Sequence, residues 1–165
     1  MKLKIILFAI FTLISGNLHA SDLLFKIQKM SKEEYLNTIP SAMNNLIIQS
    51  GGKVQASAGS NMIDVQRVGD LMVIIFEIET VAIKTILNNT KNMDNVDIKT
   101  FIKSEYFKEN MFGSNGSEKQ FMTNHACTDP IKLAALKKGI ITKYRYLLDT
   151  GEHLGEITVS IEMCR

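Results

Sequence analysis

Two cysteines, Cys127 and Cys164, are the only ones among 165 residues, and they bracket the most strongly patterned stretch of the chain. Between them, Asp129-Pro130 sets a side-chain acceptor before a proline at a first helical position. Ile131 to Lys138 gives about two turns of helix. Lys137 and Lys138 suit its negative end, and Gly139 can take the left-handed cap. A strand is expected over Ile140 to Leu148, with Tyr144 and Tyr146 on one face and Lys143 and Arg145 on the other. After a turn at Asp149-Thr150-Gly151-Glu152, a return strand is expected over Gly155 to Met163. Its inward residues would be Ile157, Val159, Ile161 and Met163, alternating with Glu156, Thr158, Ser160 and Glu162. Helix, hairpin and two flanking cysteines make one module, residues 127–164.

What the cysteines do depends on compartment. Met1 to Ala20 has Lys2 and Lys4, an almost unbroken apolar run from Ile5 to Ile14, and Leu18-His19-Ala20 before Ser21. That is the layout of a secretory leader cut after Ala20. The run is shorter than the roughly 20 residues a membrane anchor needs. Without a cysteine at the expected cut, a lipid-anchored N-terminus is not expected, and no membrane span remains once the leader is removed. An exported chain, most simply in a bacterial periplasm, favours one disulfide between Cys127 and Cys164. A redox-active or intermolecular cysteine is the first competing reading. Metal ligation is the second, but His125 with two cysteines makes three ligands where a closed zinc site takes four. A catalytic Cys127–His125 pair is the third; on an extended segment His-Ala-Cys would point both side chains the same way, with no third group to orient them.

The leader also explains the charge. The chain has 19 Lys and Arg against 17 Asp and Glu, and losing Lys2 and Lys4 leaves 17 of each. The excess is an export signal, so nucleic acid is not an expected partner. The remainder, residues 21–165, suits one domain with its own core.

Upstream, Ser31-Lys32-Glu33-Glu34 is a capping box. The helix it starts should break or kink at Pro40 and resume over Ser41 to Ile48. Lys53 to Ser57 is a weak strand. Met62 to Val68 alternates, with Ile63, Val65 and Arg67 on one face, and Gly69-Asp70 turns into Leu71 to Ile78, LMVIIFEI. So apolar a run reads as a strand buried on both faces, central in its sheet. Val81 to Leu87 extends that strand or starts a helix, and Asn88 to Asn95 reads as a loop. Asp97 to Met111 and Glu118 to Asn124 read as helices separated by Gly113 to Ser117. The expected fold is α+β: helices packed on an antiparallel sheet of two β-hairpins, with one disulfide.

The pattern Cys127-Thr-Asp-Pro130, a helix ending Lys-Lys-Gly139, Tyr144-Arg-Tyr146, Asp149-Thr-Gly151 and Cys164 resembles a widespread family of small exported bacterial proteins. The likeness covers the C-terminal module well and the upstream hairpin loosely; Thr150, between Asp149 and Gly151, departs from the family's Asp-Gly turn. The resemblance implies an exported α+β domain with a disulfide, and no reaction. It is also similar, more loosely, to small periplasmic accessory proteins of pilus and secretion-system assemblies.

Chemistry-bearing residues are few. Glu77 and Glu79 share one side of a strand end and could form an acid–base pair in a cleft, though a solvated strand end explains them too. His153 lies in a turn. No glycine-rich stretch has the strand–loop–helix setting that cradles phosphate. The reading is therefore a non-enzymatic periplasmic accessory protein that binds another envelope protein, with no catalytic, cofactor or metal residues. The alternative is a periplasmic enzyme, or an inhibitor of an envelope enzyme, using Glu77, Glu79 or His125.

Overall fold

The computed structural model describes residues 20–89 and 96–164, so the expected leader up to His19 and most of the expected Asn88 to Asn95 loop lie outside the described residues. Helix α1 (Ala20–Lys29) is followed by α2 (Lys32–Gln49). The capping box forms: Ser31 Oγ accepts from Glu34 N–H at 3.1 Å, and Glu34 Oε2 accepts from Ser31 N–H at 2.7 Å. The expected break at Pro40 does not occur, because α2 runs through it. An interior proline costs about 3 kcal/mol. Tyr35, Leu36, Ile39, Leu46 and Ile47 are buried on either side of the ring, and at about 1.5–3 kcal/mol for each large apolar side chain buried their packing outweighs it. Ser41 Oγ also donates to the Asn37 carbonyl at 3.1 Å in the disturbed turn.

The sheet has five strands in chain order: β1 (Val54–Ser57), β2 (Ser60–Val68), β3 (Leu71–Ile78), β4 (Ile141–Leu148) and β5 (His153–Val159). It is antiparallel except at its centre, where β3 and β4 run parallel with Ile74 beside Tyr144. Two parallel neighbours cannot be joined by a tight turn. The chain crosses between them through α3 (Thr80–Asn88), α4 (Ile98–Lys103), α5 (Glu105–Phe112), α6 (Ser117–Thr128) and α7 (Pro130–Lys137). Strand β3 is central, as its apolar run requires.

Two strands depart from the expected alternation. Met62 pairs with Phe76 and Asp64 with Ile75, leaving Ile63 as an extra residue. This bulge puts Met62 and Val65 on the same buried face and removes Ile63 from it. In β5, Tyr146 pairs with Gly155 and Leu147 with His153, so Leu154 is extra and buried. The return strand stops at Val159, and Ile161–Met163 form a 3-10 turn. The chain leaves the sheet there to reach Cys127, so Ile161 and Met163 are not inward strand residues.

The core face carries Met62, Val65, Met72, Ile74, Tyr144, Tyr146, Leu148, Ile157 and Val159. Ring contacts run across it from Phe101 to Phe107 (5.2 Å), Phe112 (6.0 Å), Tyr146 (5.3 Å) and Phe76 (5.5 Å). Gly155 lies under Phe112, where a Cβ would overlap the ring. On the other face Val73 and Ile75 are buried beside Lys143 and Arg145 in register. Glu156 holds both cations, at 2.9 Å from Lys143 Nζ and 2.7 Å from Arg145 Nε. Their aliphatic stems can cover apolar surface while the heads stay solvated.

The remaining helices follow their caps. Val81 to Leu87 is helical, and Asp149 of the β4–β5 turn accepts the Thr80 N–H at 2.9 Å and the Thr80 hydroxyl. The single helix expected over Asp97 to Met111 is split at Ser104, whose hydroxyl donates to Phe101 O at 2.6 Å and accepts from Phe107 N–H at 3.2 Å. That one residue ends α4 and caps α5. Asp129 Oδ1 accepts from Ile131 N–H at 2.9 Å and Lys132 N–H at 3.1 Å, and Gly139 takes φ +74°, both as expected.

Candidate functional site

Cys127 and Cys164 form the disulfide, with their Cα atoms 5.2 Å apart across 37 residues. Cys127 is in the last turn of α6, so His125-Ala126-Cys127 is helical and not extended. Two residues along a helix are about 200° apart around its axis, so His125 and Cys127 point to different sides. His125 instead meets Lys132 from α7: Lys132 Nζ lies 3.0 Å from Nδ1. With Lys132 as an ammonium, which only donates, Nδ1 would be the acceptor of a neutral imidazole. Burial, then the Lys132 charge, hold the His125 pKa below its ordinary value. Burial pushes Lys132 down to about 8. The ring of Phe121, an exposed residue, lies 6.0 Å from that of His125.

The two strand-end carboxylates do not form an acid–base pair with each other. Glu77 takes Lys53 at 3.3 Å, whereas Glu79 accepts from Asn61 Nδ2 at 3.4 Å and precedes α3 as its N-cap residue. His153 is 3.8 Å from Glu156. Among the described residues no three His, Cys, Asp or Glu side chains are grouped to hold a metal ion. No helix among them is long and apolar enough to cross a membrane.

The disulfide forms part of an open groove of about 550 Å³. Lys119, Gln120, Thr123 and Asn124 of α6 line it together with Met163 and the disulfide. Thr123 Oγ1 is buried in the groove's α6 side and has no hydrogen-bond partner among the described residues. Met163 keeps 36% of its surface exposed, which leaves apolar area beside these polar groups. On the side of α6 away from Cys127, Glu118 Oε1 accepts from Tyr146 Oη at 2.9 Å. Burial raises the Glu118 pKa, against the opposing effect of that hydrogen bond.

Sequence reasoning missed Lys132, Thr123 and the Glu118–Tyr146 contact. Lys132 follows an N-cap and reads as a solvated first-turn lysine; only the angle between α6 and α7 turns it onto His125. Glu118 reads as an ordinary helix-start acid. The one available clue was the polarity of α6, which pointed to a surface and not to these contacts.

No protein-family model matches the chain, and no curated protein matches it in sequence. Two solved structures share its fold. A protein of Pseudomonas aeruginosa assigned as secreted superposes with a TM-score of 0.53 at 11% identity, covering 90% of this chain and all of its own. The pilotin of the Vibrio vulnificus type 2 secretion system superposes with a TM-score of 0.50 at 12% identity, covering 81% of this chain and 96% of its own. At such identities the likeness is one of fold.

Proposed function

We propose that this protein is exported to the bacterial periplasm after loss of residues 1–20, where it acts without catalysis as an accessory protein binding another envelope protein of a secretion-system or pilus assembly. The observation that carries the proposal is the shared fold with a type 2 secretion pilotin over 96% of that protein's length. The secreted assignment of the Pseudomonas protein agrees with export. Glu77, Glu79 and His125 each have a separate partner, which fits binding better than acid–base work.

The second reading, an envelope enzyme or inhibitor, has one observation in its favour. Lys132 and His125 place an amine beside an imidazole at 3.0 Å, the kind of contact that activates a nucleophile. Deleting the gene in its native host and cataloguing the proteins outside the cell separates the readings. A lost subset of exported proteins, restored equally by the wild-type gene and by Lys132→Met, supports the accessory role. An unchanged catalogue, or failure of Lys132→Met despite normal protein levels, overturns it. N-terminal sequencing of the exported protein should begin at Ser21.

A further inference from the structure

The sheet ladder continues through the pair Thr142–Val159 and stops there. Beyond it, the Met163 and Cys164 amides bond to Ser160 and Ile161, both within the same short segment, at 3.1 Å each. Ile161 and Cys164 pack only partly against the core. The 3-10 turn also lies against α6 and α7, and the disulfide fastens its end covalently to α6. That segment supplies Met163 and Cys164 to the groove, opposite Lys119, Gln120, Thr123 and Asn124 of α6. Both cysteines are half-buried and line the groove, so a small thiol can reach the bond without unfolding the sheet.

We infer that the groove is redox-operated: the Cys127–Cys164 bond builds one of its sides, and a dithiol reductant dismantles that side while the five-stranded sheet stays folded. The step is ordinary thiol–disulfide exchange. One thiolate of the dithiol attacks a protein sulfur, the S–S bond breaks, and a mixed disulfide forms with release of one cysteine thiolate. The second thiol of the reductant then displaces the other cysteine. The protein disulfide gains two electrons and two protons, and the dithiol becomes a disulfide. With the bond open, residues 160–164 keep their own turn contacts but lose the tie that holds them against α6. The hairpin keeps its pairing with β3, which does not pass through the cysteines. This inference goes beyond the accessory role and does not depend on it.

The test treats the oxidised full-length mature protein with dithiothreitol without denaturant. Alkylation mapped by mass spectrometry should label both cysteines. Hydrogen exchange at the Met163 and Cys164 amides should rise on the order of tenfold or more, as expected when a structured end becomes a frayed one. The β4 and β5 amides should speed up by no more than the loss of global stability accounts for, and should stay far slower than the tail amides. A Cys127→Ser/Cys164→Ser variant should show the same pattern with no reagent. Labelling that requires denaturant overturns the inference, and so does exchange across β4 and β5 as fast as that of the tail. An unchanged tail in the serine variant would overturn it as well.

Discussion

The two hairpins of this sheet are anchored in different ways. Strand β2 is covered by β1 only over Ser60 to Met62, and α2 lies along the rest. There Asn44 accepts from Val65 N–H at 2.8 Å and donates to Val65 O at 2.7 Å, replacing a neighbouring strand at that residue. Arg67 reaches the same helix, donating to both Glu33 carboxylate oxygens at 2.6 and 2.8 Å. The second hairpin has the disulfide beyond its last strand and the Lys143–Glu156–Arg145 cluster on the face opposite Tyr144 and Tyr146. Polar contacts from a helix satisfy an exposed strand edge locally. A covalent bond instead constrains the unfolded chain across 37 residues. The two hairpins meet along β3–β4 and again where Asp149 caps α3.

The largest expected effect comes from the covalent anchor. The chain-entropy relation gives roughly 4 kcal/mol for a loop of this length, so Cys127→Ser/Cys164→Ser should lose about that much in denaturant unfolding. A domain with about 5–15 kcal/mol of stability remains folded after such a loss. Next is Asn44→Ala, which leaves the Val65 N–H and C=O without their partner and should cost about 1–3 kcal/mol. If the two variants cost the same, the anchors are not as different as their chemistry indicates. Asp149→Ala should be milder, about 1 kcal/mol for a lost helix cap, with α3 fraying before either hairpin in hydrogen exchange.

The smallest effect is a pH dependence confined to the stapled half. The His125 pKa is depressed in the folded protein, chiefly by burial. In the window just below 6.5 the unfolded chain therefore binds more protons than the native one. Stability present above that window should fall as pH drops through it, and should level off once the folded imidazole is protonated too. Asp149 and Glu156, whose pKa values are lowered by their hydrogen bonds, act below this window, where protonation removes their contribution. His125→Gln keeps an acceptor for Lys132 but cannot titrate. Urea midpoints measured from pH 7 to 5 should slope less for it than for the wild type.

The stapled half was also the more legible in sequence. Asp129-Pro130, Gly139 and the tyrosine strand act over a few residues, and each lies where its local chemistry puts it. The misplaced features depend on distant partners. Pro40 is tolerated because both of its flanks are buried. Ser104 divides a helix because its hydroxyl serves two turns at once. The parallel β3–β4 pairing unites strands more than sixty positions apart, and no local pattern encodes it. The end of β5 is instructive in a different way. Ile161 and Met163 continue a strand-like alternation, but the disulfide that was itself expected draws the chain out of the sheet before them. Lys132 was hidden because a solvated first-turn lysine and one drawn onto a neighbouring helix have the same sequence context.

The most direct test of the central functional claim is recovery of the tagged mature protein from its native envelope after mild extraction, with its companions identified and quantified by mass spectrometry. A binding accessory protein predicts one structural component of a secretion-system or pilus assembly, recovered in near-stoichiometric amount and absent when an unrelated exported protein carries the tag. Recovery of the intact protein alone, with that assembly present in the same extract, would contradict it.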